Sequence, residues 1–417
     1  MFPKIDGERL WASIQDLAKV GAYTDSVSGL VGVNRLALTD ADRDGRRLVR
    51  GWFEAAGLEV RVDRIGNTYG VRRGRRRDLA RIMAGSHIDS VPTGGAFDGC
   101  LGVLGALEVV RTLNDAGLST DRDLEIGFFT DEEGARFGTD MLGSATACGR
   151  LPIETAYGLA DKDGTTVKGE LERIGFLGPA PERVTPPAAY VECHVEQGPI
   201  LATRGRDLGA VVGVQAISWY ELTLEGKSAH AGTTPMGLRK DAGLVASRIN
   251  VELHRMATSG VYGAEMRATM GRFDPVPDRV NIVPGRVICT VDLRNPDDAA
   301  MARAEADLFG FLKALAAETG VAITWRQTAQ THSVKFSEVV LSVITARMEA
   351  HGLSYERILS GAGHDAQEFA AICPTAMIFV PGLYDGISHN PREYSTPEAC
   401  ARGVQILCET MLELSKT

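Results

Sequence analysis

Chemistry concentrates where apolar runs stop. Ile82-Met83-Ala84 leads into Gly85-Ser86-His87-Ile88-Asp89, and Gly94-Gly95-Ala96-Phe97-Asp98-Gly99 follows. His87 therefore stands at the exit of a short buried strand, where sites are commonly built. Asp89 can accept the second N–H of the His87 ring and aim the first nitrogen at a cation. Asp98 lies in a glycine-rich turn before the periodic apolar positions Leu101, Leu104, Leu107, Val110 and Leu113. Taken alone, Asp98 suits a helix cap. A second apolar run, Leu124 to Phe129, ends at Asp131-Glu132-Glu133. A third, residues 188–193, ends at His194-Val195-Glu196-Gln197-Gly198, and His389 stands in a loop with Ser388, Asn390 and Pro391. His, Asp and Glu gathered at strand exits are the donor types of a metal site.

His87, Asp98, Glu133, His194 and His389 form a candidate two-metal set. Asp98 can bridge two cations through its two oxygens, with an imidazole and one further ligand on each. Imidazole and carboxylate donors suit zinc, and also manganese, cobalt or nickel. Two ions about 3.5–4 Å apart clamp a water and polarise a carbonyl. Glu132 is then the general base beside the ligand Glu133. Each histidine alone is more often a satisfied core or surface residue; their joint placement at strand exits and loops favours the metal. Gly99, Gly102 and Gly105 are spaced GxxGxxG, not GxGxxG, and fall inside the apolar helix pattern, which makes a poor dinucleotide loop.

The scaffold follows from the order of elements. Helical and strand-like patterns alternate through residue 150, which predicts an α/β domain with a mixed, largely parallel sheet and helices on both faces. Residues 151–187 are richer in Gly, Pro and charge and read as a surface excursion. Near Val211 the rhythm changes to β-α-β-β-α-β, the order of a ferredoxin-like α+β domain. The expected division is a catalytic domain at 1–211 and 330–417, with an insert at 212–329. A net charge of -9 gives no footprint for nucleic acid. The basic run Arg72-Arg73-Gly74-Arg75-Arg76-Arg77 reads as a solvated hairpin tip. No segment reads as a membrane span and the N-terminus has no apolar leader. Seven cysteines without a CxxC pair point to reduced thiols in the cytoplasm.

The motifs together resemble the amidase/hydantoinase/carbamoylase family, within the di-zinc aminoacylase/carboxypeptidase-like superfamily. The resemblance rests on Gly85 to Asp89, Gly94 to Gly99, Asp131-Glu132-Glu133-Gly134 and His194 to Gly198. It extends to Ser228-Ala229-His230-Ala231-Gly232-Thr233-Thr234-Pro235-Met236, Asn281-Ile282-Val283-Pro284-Gly285, Gly361-Ala362-Gly363-His364-Asp365-Ala366 and Ser388-His389-Asn390. It implies two divalent ions per subunit, a cis peptide after Asp98, and an inserted lid that also forms a homodimer. The implied reaction is hydrolysis of the carbamoyl C–N bond of an N-carbamoyl-L-amino acid or N-carbamoyl-β-alanine. Allantoate hydrolysis is the alternative, followed by deacylation of N-acyl-amino acids or dipeptide cleavage. A binding protein that kept ligands without catalysis is disfavoured, because it needs no Glu132. The catalytic set is then Glu132, Asp89 and His230. In this reading Arg294 binds a substrate carboxylate, though a surface ion pair also fits it. Asn281 contacts the carboxylate or the ureido group, or simply makes a turn. His230 stabilises an oxyanion. Gln197 and the Gly363 backbone touch the substrate, and His364 with Asp365 is structural or orients a ligand.

Overall fold

A computed structural model describes residues 2–416. The chain divides into two compact units, residues 1–213 with 335–417, and Val214–Val334.

The first unit is built on a mixed nine-stranded sheet. Four neighbouring strands form its parallel centre: Thr375–Val380, Ala189–Val195, Ile82–His87 and Leu124–Phe129. Each is buried along its whole length, as parallel strands covered on both faces must be. Thr68–Arg72 and Glu59–Val62 continue one edge antiparallel, and Leu208–Val214 lies antiparallel to Thr375–Val380. The two covering layers can be read from one strand. Tyr190 stacks on Phe369 with ring centroids 4.1 Å apart. Cys193, three residues on and so on the opposite face, lies against Gly403 of the helix Pro397–Leu414.

Parallel strands bring their carboxyl ends to one edge of a sheet, and ligands bind in α/β folds along that edge. His87 and His194 end adjacent strands, and Thr130-Asp131-Glu132-Glu133 leaves the next. The start of that acidic loop is pinned from below. Arg46, on the helix Asp40–Ala55, pairs with Asp42 at 2.7 Å, both side chains fully buried. Its guanidinium also donates to the Gly66 carbonyl at 2.8 Å and to Thr130 Oγ1 at 3.2 Å.

Residues 151–187 are not a featureless excursion. They contain the helices Ile153–Gly158 and Val167–Ile174. Val167, Leu171, Ile174 and Phe176 join Leu38, Ile65 and Leu142 in an apolar cluster. Thr166 caps the second helix by accepting from Gly169 N–H. Short helices between glycines and prolines bury little stripe, so composition hides them.

The second unit holds a five-stranded antiparallel sheet. Along its main path lie Arg267–Thr269, Arg286–Asn295, Ala216–Glu225 and Ala322–Thr331, with Phe273–Val276 also paired to the second of these. The helices Ala242–Thr258 and Asp298–Thr319 share a core with it through Leu222, Leu224, Ile249, Val291 and Leu308. This unit runs past the expected 329, because its last long strand continues to Thr331 across a bulge. Among the described residues no helix is long and apolar enough to cross a membrane.

Asp42→Ala leaves the Arg46 charge buried without its partner. It is expected to cost about 3–5 kcal/mol of stability in denaturant unfolding; a loss below about 1 kcal/mol would show that the pair does not hold this corner.

Candidate metal centre

Three imidazoles face one carboxylate. Asp98 Oδ1 lies 3.4 Å from His87 Nε2 and 3.2 Å from His194 Nε2. Asp98 Oδ2 lies 3.4 Å from His389 Nε2, which is 3.2 Å from Glu133 Oε2. Two donor groups result, His87–Asp98–His194 and Asp98–Glu133–His389, each with its ligand atoms within 4.8 Å of one another.

The ring orientations fit a cation. His87 Nδ1 lies 3.0 Å from the Asp89 carbonyl and His194 Nδ1 lies 2.8 Å from the Val195 carbonyl. A carbonyl only accepts, so each Nδ1 carries a proton, and Nε2 is the ring atom each histidine turns toward Asp98. Lone pairs and carboxylate oxygens converging on one point repel unless a proton or a cation stands between them. The nitrogen and oxygen donors present match zinc and the neighbouring first-row divalent ions.

Asp89 behaves differently from expectation. Its backbone carbonyl, not its carboxylate, takes the His87 Nδ1 proton; the carboxylate stands 3.8 Å away. That carboxylate instead accepts the backbone N–H groups of Glu132 and Glu133, each at 3.4 Å. The peptide after Asp98 is trans, contrary to expectation; Val276–Pro277 is the cis bond among the described residues. Gly99 makes the turn instead, with φ 64, and donates its N–H to His194 Nε2 at 3.1 Å. A Cβ at Gly99 would lie 2.4 Å from His87 Nε2, so no other residue fits.

A family model described as peptidase family M20/M25/M40 matches residues 83–413. The chain belongs to that family. It is 38% identical over 413 residues to an N-carbamoyl-L-amino-acid amidohydrolase of Rhizobium meliloti, covering 99% of this chain and 97% of that one. It is 32% identical to an allantoate amidohydrolase of Bacillus subtilis (strain 168), covering 96% of each. A solved amidase of the hydantoinase/carbamoylase family from Burkholderia multivorans shares 42% identity at a TM-score of 0.94, covering 99% of both chains. The resemblance read from the motifs is thus borne out.

In this M20/M25/M40 member burial and neighbouring charges pull each ionisable group in opposite directions. Burial pushes Asp98 up, but hydrogen bonds from His194, His389 and His87 outweigh it and hold the carboxyl well below its ordinary range. Burial would lower His87, yet the charges of Glu132, Asp98 and Asp89 raise it well above the usual imidazole value. Glu132 is raised well above a normal glutamate, by burial first and then by the charges of Asp365, Glu133 and Asp98, against the opposing charge of His87. Its Oε2 lies 3.5 Å from His87 Nε2. A buried carboxylate with raised proton affinity beside the donor groups suits acid–base work.

Other expected contacts fall elsewhere. Gln197, at φ 56, donates from Nε2 to Asp98 Oδ2 at 2.7 Å, so its amide braces the shared carboxylate. Gly363 lies against Met141 and leads into His364. The His364 ring is 4.6 Å from that of His194, and its Nε2 lies 2.8 Å from Ser360 Oγ. Glu192 approaches both histidines, but its oxygens already accept from Ser86 Oγ, Tyr190 OH and Ala366 N–H.

His230, Asn281 and Arg294 belong to the second unit. His230 Nδ1 accepts the N–H groups of Gly232 and Thr233 at 3.0 and 3.2 Å, so its proton sits on the exposed Nε2. The Asn281 carbonyl accepts from Ala231 N–H at 3.0 Å, which fixes it beside that loop. Arg294 pairs through Nε and Nη2 with Asp292 on its own strand, the shortest contact being 2.9 Å. Sequence reasoning missed Glu393, and it named Ser388 in the His389 motif without giving it a role. Ser388 Oγ reaches Asp98 Oδ2 at 2.9 Å and Glu393 Oε2 at 2.6 Å. Their position beside His389 was the available signal.

His389 has its pKa raised to about 10, by hydrogen bonding to Asp98 and then to Glu133. It is therefore protonated at neutral pH, and an ion must displace that proton. Zinc loading is expected to release protons and to weaken as pH falls. Calorimetry in buffers of different ionisation enthalpy reads this directly; loading with no proton release would contradict it.

Proposed function

We propose that this chain is a metal-dependent amidohydrolase that cleaves the carbamoyl C–N bond of an N-carbamoyl-L-amino acid or N-carbamoyl-β-alanine. One water is consumed and the products are the amino acid, carbon dioxide and ammonia. The observation that carries this reading is the Asp98 carboxylate shared by two donor groups with Glu132 beside them. The named activity of the Rhizobium meliloti relative supports the substrate class. That of the Bacillus subtilis relative supports allantoate as the alternative.

We assign His87 and His194 with Asp98 to one ion and Glu133 and His389 with Asp98 to the other, with zinc the best match. The ions would supply Lewis acidity to a carbonyl and acidify a water. Glu132 would take a proton from the attacking water and return it to the departing nitrogen. Asp89 keeps Glu132 and Glu133 in register through their backbone N–H groups. His230, with its proton on Nε2, donates to the developing oxyanion. Arg294 binds the substrate carboxylate, exchanging it for Asp292, and Asn281 and the Gly363 backbone hold the ureido group.

The insert is assigned the roles of lid and dimer contact. Leu244 and Val251, 52% and 70% exposed, form an outward apolar stripe on the helix Ala242–Thr258 that suits a second copy. The free thiols fit a reducing, cytoplasmic setting.

Glu132→Gln is expected to keep its ions and lose turnover by at least about 10²–10⁴-fold. Ammonia release from N-carbamoyl-L-amino acids, N-carbamoyl-β-alanine and allantoate is the readout. Exhaustive chelation should abolish it and zinc or manganese restore it. Near-normal turnover by Glu132→Gln would reassign the base, and full activity after chelation would end the metal reading.

A further inference from the structure

We infer that Glu393 is a positioning residue that ties the His389 loop to Asp98 and thereby secures the second ion, an inference that rests on the paired-ion reading above. Glu393 is an acidic residue only 7% exposed. Its Oε1 accepts the backbone N–H of Phe97 at 2.9 Å and of Asp98 at 3.0 Å. Its Oε2 meets the Ser388 hydroxyl at 2.6 Å, and that hydroxyl also reaches Asp98 Oδ2. One side chain therefore contacts the backbone beneath the shared carboxylate and the residue before His389.

The two histidines of the first donor group are held by strands of the central sheet. His389 is not. It sits in a loop at φ 56, and its side chain is 49% exposed. The Glu393 N–H donates to the Asn390 carbonyl at 2.9 Å, closing the turn after His389. Thr93 Oγ1 donates to the His389 carbonyl at 3.1 Å, a second tie between the same two loops. The glycine-rich turn is shaped to this side chain. A Cβ on Gly95 would lie 2.4 Å from Glu393 Cβ, so the turn's backbone rests directly on it. A carboxylate accepting backbone N–H groups in a buried place forms strong, directional bonds. Glu393 is thus the buried group that links the least supported ligand to the carboxylate both ions share.

The test is ion stoichiometry and affinity in the full-length protein, measured by calorimetry with zinc and by elemental analysis. Wild type is expected to hold two ions. Glu393→Ala should hold the first and bind the second about 10–100-fold more weakly, the usual effect of removing a group that orients a ligand. Glu393→Gln keeps an oxygen for the Phe97 and Asp98 N–H groups and should recover most of the second-ion affinity. Ser388→Ala removes the hydroxyl end of the same link and leaves the Phe97 and Asp98 N–H groups bonded to Glu393, so it reads the effect even where Glu393→Ala folds poorly. It too should weaken the second ion alone. Wild-type affinity for both ions in both alanine variants would overturn the positioning role. Equal loss of both ions in both variants would also overturn it, since that marks general collapse. A wild-type protein that takes up no second ion would instead overturn the paired-ion reading itself.

Discussion

The first unit is organised around one buried anion. A carboxylate removed from water is costly unless hydrogen bonds and opposite charge replace its solvation. Asp98 is surrounded accordingly: His87 and His194 stand at one oxygen, and His389, Gln197 and Ser388 at the other. The two oxygens face different partners, and that asymmetry divides one cluster into two donor groups. Glu393 and Gln197 hold Asp98 from behind without facing both groups themselves.

The fold supplies what such a convergence needs. Adjacent parallel strands deliver His87 and His194 to the same sheet edge, and the neighbouring strand delivers the acidic loop. The buried Asp42–Arg46 pair fixes the base of that loop through Thr130. Asp131, Gln197 and His389, all near the cluster, take positive φ without being glycine. Backbone strain of this kind persists where the surrounding structure over-determines it, and it gathers at functional sites.

Much of this was legible in the sequence because strand exits announce themselves. Apolar runs ending in His87, His194 and the Asp131-Glu132-Glu133 cluster became the parallel strands that carry them. The change of rhythm near Val211 marks where the chain leaves its first unit. What escaped was whatever depends on pairing across long separations. Glu393 looks like any loop glutamate until Phe97 and Asp98 are seen to donate to it. The Asp89 carboxylate was assigned to the ring beside it, whereas the fold gives it the next loop's backbone. Arg294 reads as either a carboxylate binder or half of a surface ion pair, and its strand sets Asp292 on the same face two residues away as the ion-pair partner. The helices within 151–187 escaped because each is short and flanked by glycine or proline.

The most direct test of the shared carboxylate is a crystal structure of the zinc-loaded protein with anomalous scattering recorded at the zinc edge. Two peaks about 3.5–4 Å apart are expected, one beside His87 and His194, the other beside Glu133 and His389, with one Asp98 oxygen on each. A single peak, or two peaks that Asp98 does not join, would contradict the account.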